Sequence, residues 1–154
     1  MPSSVVNAGA KPVLVEVGEN YRIDLAHFHK VLEEGVDAIL VSHMRGHTSD
    51  MDVILAEAER YGIDVIEDAA HSLGTTWHGE KIGTLGRAGC FSFQSYKLIN
   101  GGEGGMRITD DDELFARAVI MSGAYEHYWK THPQIGDLCA KWQNQLPLYN
   151  LRMQ

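Results

Sequence analysis

Hydrophobic runs alternate with segments of helical period through the first two-thirds of the chain. That alternation is the pattern of βαβ units, so the fold class is read as α/β, a mostly parallel sheet flanked by helices. The run Pro12-Val13-Leu14-Val15-Glu16-Val17 predicts a first strand. Asp24 stands where a helix N-cap belongs, Leu25, Phe28 and Leu32 share one face behind it, and Gly35 closes the helix. Ala38-Ile39-Leu40-Val41 predicts the next strand. Ser49 or Asp50 then caps a helix in which Met51, Ile54, Leu55 and Ala58 keep the i, i+3, i+4, i+7 spacing, with Gly62 at its end. Val65-Ile66 begins a third strand.

His78-Gly79 separates Thr75-Thr76-Trp77 from Lys81-Ile82 and predicts a small hairpin. Cys90-Phe91-Ser92-Phe93 and Gly105-Met106-Arg107-Ile108-Thr109 predict two further buried strands. Asp110 and Glu113 have the spacing of a capping box for a helix that turns Leu114, Phe115, Ala118 and Val119 inward. The pattern then changes. Tyr125, Tyr128, Trp129, Trp142 and Tyr149 follow without a period, so the chain divides into an α/β unit over residues 1–123 and an aromatic, irregular or helical segment over 124–154. That segment has no evident core of its own.

Composition narrows the function classes. A chain of 154 residues, 44% of them hydrophobic, can bury roughly two-thirds of its unfolded surface and needs no disulfides to hold a core. With 13 Lys plus Arg against 21 Asp plus Glu, the net charge is −8 and no basic stripe is available to neutralise phosphates, which argues against nucleic acid and anionic membranes. No apolar run has the ~18 residues of a membrane span, and Met1-Pro2-Ser3-Ser4 lacks the features of a signal peptide. A cytoplasmic protein is expected. Cys90 and Cys139 stand apart, which suits a reducing compartment and two buried thiols.

The candidate chemistry gathers near the predicted strand ends. Glu67-Asp68 closes the third strand, where α/β proteins place ligands, so Asp68 is either a ligand-facing carboxylate or the N-cap of a following turn. Lys97 lies between an apolar strand and Gly101-Gly102-Glu103-Gly104-Gly105. Partial burial would make its amine a nucleophile for aldehydes, as in Schiff-base enzymes, whereas a snorkelling surface lysine would carry no chemistry. The glycines lack the spacings of phosphate-binding loops and predict a tight turn with positive φ angles. His43 and His47 are four apart but flank Gly46 beyond a strand, and no metal is expected there.

Glu67-Asp68-Ala69-Ala70-His71-Ser72-Leu73-Gly74, Gly89-Cys90-Phe91-Ser92-Phe93, Lys97 and Gly102-Glu103-Gly104-Gly105, in this order and spacing, resemble the core of the DegT/DnrJ/StrS family of PLP-dependent aminotransferases. Gly9 to Val13, His43 to Met51 and Tyr149 to Met153 resemble it too, so the similarity covers nearly the whole chain. The resemblance implies part of a fold type I large domain over 1–123, with 124–154 leading towards a small domain. It implies pyridoxal 5'-phosphate held covalently by Lys97, with that amine also moving the proton between cofactor and substrate carbons. It further implies Asp68 on the pyridinium nitrogen, His71, where the family often has Gln, near the 3-hydroxyl, and Ser92 on the phosphate. Asn150 would reach the phosphate site of a neighbouring subunit, which implies a homodimer with shared active sites.

The implied reaction moves an amino group from glutamate or glutamine to a keto group on a nucleotide-linked sugar or cyclitol. A related branch with His for the lysine dehydrates sugars, and Lys97 points to transamination. Ser122 through His132 resembles members that aminate cyclitol ketones. Family members are longer, so the chain is expected to be a fragment lacking a phosphate-binding turn ahead of it and a small domain behind it. Each charge-assisted bond of the lost turn is worth roughly 1.5–3 kcal/mol. An inactive fragment or assembly module that retains the fold is the alternative. A nucleotide-binding Rossmann domain fits less well, because no GxGxxG follows the first strand.

Overall fold

A computed structural model of the chain describes residues 1–122 and 135–147. A short helix, α1 (Pro2–Asn7), precedes α2 (Leu25–Glu34), β1 (Ala38–Ser42), a 3₁₀ turn (Met44–Gly46) and α3 (Met51–Tyr61). There follow β2 (Asp64–Asp68), the short pair β3 (Thr76–Trp77) and β4 (Glu80–Lys81), then β5 (Ala88–Ser92), β6 (Gly105–Ile108), α4 (Asp112–Ser122) and α5 (Gly136–Trp142). The main sheet has the order β1-β2-β5-β6. The first three strands are parallel, and β6 runs antiparallel to β5.

The helices form where period and caps coincide. Asp24 accepts the His27 N–H at 2.9 Å as the N-cap of α2, and Gly35 leaves it at φ 88°. Phe28 and Leu32 of α2 and Met51, Ile54 and Ala58 of α3 are buried with Ile39, Val41, Val65 and Phe91 of the sheet in one cluster. Asp50 precedes α3 but gives it no side-chain cap, because the carboxylate is taken by Arg22 at 2.8 Å. His78 and Gly79 both have positive φ, 47° and 91°, which turns the β3–β4 hairpin as expected.

Parallel register aligns the strand ends that carry the chemistry. Ser42 lies beside Asp68, and Asp68 beside Cys90. Side chains alternate along a strand, so Ile39, Val41, Val65, Glu67 and Phe91, all buried, share the packed face. Ser42, Asp68, Cys90 and Ser92 share the other face and are only partly buried.

The structure corrects four expectations. Pro12 to Val17 is no strand of the sheet: it makes a single antiparallel bridge, Val17 with Ile23, and Leu14 is 70% exposed. Apolar alternation needs a neighbouring strand to become sheet, and none lies beside this segment among the described residues. It is held by the His27 ring and the Asp24 N–H, which meet Glu16 N and Glu16 O at 3.0 and 2.9 Å. β6 is an edge strand rather than a buried one, with Met106 43% exposed.

α4 is capped by Asp111, whose Oδ1 accepts the Leu114 N–H at 2.8 Å, not by Asp110, and its buried residues are Ala116 and Ile120. Leu114, Phe115, Ala118 and Val119 are only partly buried. The later segment also has a partner within the chain. Ile135 and Cys139 are buried against Ala116 and Ile120, and Trp142 and Leu146 pack alongside. Cys139 is fully buried, Cys90 is half-buried, and both are free thiols. No helix among the described residues is long and apolar enough to cross a membrane.

Candidate active site

Asp68 ends β2 on the less covered face of the sheet. Its Oδ2 accepts the Ser42 hydroxyl at 3.0 Å and its Oδ1 accepts the Ala70 N–H at 3.1 Å. The second bond is the local turn of a short acid at a strand end, and no helix starts there. Both partners are neutral donors, and Asp68 forms no ion pair among the described residues, so the carboxylate retains capacity for a cationic N–H.

Lys97 is carried on a loop that the glycines close. Phe93 N donates to Gly104 O and Gly101 N to Phe93 O, each at 2.8 Å, while Ser95 N donates to Gly102 O at 3.0 Å. Gly102 and Gly104 take φ values of 85° and 122°, the turn the sequence predicts. Within the loop, Lys97 N donates to Gln94 O at 2.8 Å. Lys97 is partly buried and lines an open cleft of about 290 Å³ together with Arg45, His71, Ser92 and Tyr96 and with the apolar Ala70, Leu73, Leu98 and Ile99.

His71 is exposed on this cleft, and its Nδ1 accepts the Arg45 N–H at 3.4 Å and touches Met44 Sδ at 3.1 Å. With Nδ1 turned to these two neighbours, Nε2 has no partner among the described residues. Ser92 Oγ accepts the Gln94 N–H at 3.4 Å, which leaves the hydroxyl hydrogen available. Lys97, His71 and Ser92 thus meet on one cleft, while Asp68 stands at the adjoining strand end. Asn150 and most of the Ser122–His132 stretch lie outside the described residues. His43 and His47 separate: His43 is fully buried, and the His47 ring stacks on Tyr21 at 6.5 Å.

Sequence reasoning missed Glu67 and His43. Glu67 points to the packed face and is fully buried, yet it accepts Gly83 N at 2.8 Å, Leu85 N and Gly86 N at 2.7 Å, and His43 Nε2 at 3.2 Å. Burial pushes this carboxyl up, and the bonds from His43, Gly86, Gly83 and Leu85 together hold it below its ordinary value. Ser72 Oγ donates to His43 O at 2.6 Å and ties the next turn to the same point. The signal was present: alternation along a strand that buries Val65 must also bury Glu67.

The residues suit pyridoxal 5'-phosphate. The amine of a partly buried lysine without a hydrogen-bond partner among the described residues, a carboxylate bound only by neutral donors, an imidazole and a hydroxyl suit the aldehyde, the pyridine nitrogen, the 3-oxygen and the phosphate of that cofactor.

Comparison with known proteins shows the family. Residues 2–153 match the model of the DegT/DnrJ/EryC1/StrS aminotransferase family. The chain is 41% identical over 122 residues to GDP-perosamine synthase of Caulobacter vibrioides, covering 79% of this chain and 33% of that protein. It is 40% identical over 117 residues to L-glutamine:scyllo-inosose aminotransferase of Streptomyces griseus, covering 75% and 28%. The crystal structure of an aminotransferase from Psychrobacter cryohalolentis superposes with a TM-score of 0.82 at 32% identity, over 98% of this chain and 39% of that one. The chain therefore spans about a third of the length of the curated relatives it matches.

Proposed function

Because the chain belongs to the DegT/DnrJ/EryC1/StrS aminotransferase family, we propose that it carries the cofactor half of an active site that moves an amino group from glutamate or glutamine to a keto group on a nucleotide-linked sugar or cyclitol. One observation carries this reading: Lys97, His71 and Ser92 line a single cleft beside Asp68, whose carboxylate meets only neutral donors. Pyridoxal 5'-phosphate, when bound, supplies the electron sink that lets an α-proton leave.

The chain's own groups then have separate work. Lys97 would hold the cofactor through its aldehyde, with loss of water, and once freed would move the proton as a base. Asp68 would face the pyridine nitrogen and keep it protonated, His71 would face the 3-oxygen, and Ser92 would donate to the phosphate.

The remaining assignments extend the same reading. Residues 1–123 form part of the cofactor-binding unit, and 124–154, whose described part packs back on α4, would lead on towards a small domain. Asn150 serves the phosphate site of a second subunit. Support for a homodimer comes from the loop of Lys97 itself, where Tyr96 is 93% and Leu98 84% exposed at the cleft wall, an apolar rim that a second subunit would cover. Two unpaired cysteines suit the reducing cytoplasm.

The test is absorption of the chain with added pyridoxal 5'-phosphate, followed by borohydride reduction and peptide mapping. A reduced adduct on Lys97 that vanishes in Lys97→Ala is the expected result. Undiminished labelling in Lys97→Ala, or no label at saturating cofactor, would overturn the reading.

A further inference from the structure

The roles above leave Arg45 without one, although it stands on the same cleft wall as Lys97. Its backbone has φ 54° and ψ 29°, the left-handed region that residues other than glycine seldom occupy. Gly46 continues the turn at φ 80°. Neighbours hold this conformation: His47 N donates to Met44 O at 3.0 Å, Arg45 N donates to His71 Nδ1 at 3.4 Å, and Ser72 Oγ donates to His43 O at 2.6 Å. Backbone strain that packing maintains is a pointer to function. Its consequence here is that Arg45 joins the wall of the cleft.

The guanidinium there has no carboxylate partner among the described residues. Arg22, Arg60 and Arg87 each reach a carboxylate, at Asp50, Glu57 and the pair Asp64 and Asp111. Arg45 is exposed and reaches none among the described residues. Among the described residues that line the cleft are Lys97 and His71 and no acid, in a chain with 21 acidic against 13 basic residues, and Asp68 at the adjoining strand end already accepts from Ser42 and Ala70. An acidic chain has thus kept a small basic cleft, which favours an anion.

We propose that Arg45 binds the carboxylate of the amino donor. The inference rests on the proposed function and deepens it. An amino acid that delivers its amine at Lys97 brings its α-carboxylate within two bonds of the reacting nitrogen, so in a cleft of about 290 Å³ that group falls close to the same wall. The diphosphate of a nucleotide-linked sugar lies many bonds from its keto carbon. The planar guanidinium offers two parallel N–H donors to a carboxylate, which a lysine cannot match.

The experiment titrates the chain by calorimetry with glutarate, a donor-like dicarboxylate that cannot react, and separately with inorganic phosphate and with pyridoxal 5'-phosphate. Arg45→Gly removes the guanidinium and relieves the left-handed strain, so it retains the fold, with circular dichroism as the check. Arg45→Lys keeps the charge without the fork. Glutarate affinity should fall about tenfold or more in Arg45→Gly and recover only partly in Arg45→Lys, with phosphate and cofactor binding unchanged. Glutarate affinity within twofold of the parent, no glutarate binding by the parent, or a loss confined to phosphate or cofactor would overturn the proposal. A Lys97 adduct that persists beside such a result indicts Arg45 alone, whereas loss of the adduct from the parent chain indicts the functional reading.

Discussion

Replacing Glu67 by Gln tests how the fold holds the site. The carboxylate takes four hydrogen bonds in a fully buried position, two on each oxygen: Leu85 N and Gly86 N on Oε1, Gly83 N and His43 Nε2 on Oε2. Glutamine keeps one acceptor oxygen. If that oxygen serves Leu85 and Gly86, the new NH₂ faces the Gly83 N–H donor to donor. His43 can answer only by changing its tautomer, and its Nδ1 already lacks a partner. The variant therefore loses the charge on two surviving bonds and buries at least one unpaired donor. Bonds to charged groups contribute about 1.5–3 kcal/mol each and an orphaned donor costs about 1–3 kcal/mol, so a loss of about 3–5 kcal/mol is expected. That is a large part of the roughly 5–15 kcal/mol that holds a domain of this size. Urea unfolding followed by far-UV circular dichroism measures it, and reducible Lys97 adduct reads the downstream effect, because the loop over residues 83–86 sets the start of β5, which leads to Ser92 and Lys97. A loss below about 1 kcal/mol would refute the reasoning.

Three further outcomes follow from the same contacts. The carboxyl of Glu67 is held below its ordinary value of about 4.3, so its contribution is present above that pH and is lost as pH falls through the folded value; acid titration of stability should show a limb below about pH 4.3 that Glu67→Gln flattens. Gly89→Ala drives a Cβ into Gly83 O, a backbone clash that should cost about 3 kcal/mol in the same urea assay. Asp24→Ala removes the side chain that accepts His27 N and should cost about 1 kcal/mol, while Asp24→Asn stays within a few tenths, as thermal melts will show.

Much of the architecture was readable from periodicity because the relevant physics is local. Asp24 and Gly35 bracket α2, Gly62 ends α3 in the left-handed conformation, and the His78-Gly79 pair turns the hairpin. Each is a choice made within a few residues. What failed depended on neighbours remote in sequence. Pro12 to Val17 has a strand's composition, but a strand exists only beside a partner. Gly105 to Thr109 reads as buried from its apolar content, yet β6 lies at the sheet edge. Between two adjacent acids, the sequence favoured Asp110 by spacing, whereas Thr109 Oγ1 meets Asp111 N at 3.1 Å and sets Asp111 as the cap.

The same division runs through the site. Lys97 stood out because a lysine between an apolar strand and a glycine turn is locally odd, and Asp68 because it ends a strand. Arg45 did not, since its place on the cleft follows from a left-handed backbone that no side-chain pattern encodes. Glu67 was hidden by its neighbour: read as a pair, Glu67-Asp68 is one acidic strand end. Strand alternation separates them, sending Glu67 into the packed face, where it binds the 83–86 loop, and Asp68 to the other face, where it stays open to a cation. One carboxylate fixes the geometry in which the other can work. Substitutions at the two positions should therefore fail differently, Glu67→Gln through stability and Asp68→Asn through cofactor chemistry on a chain that still folds.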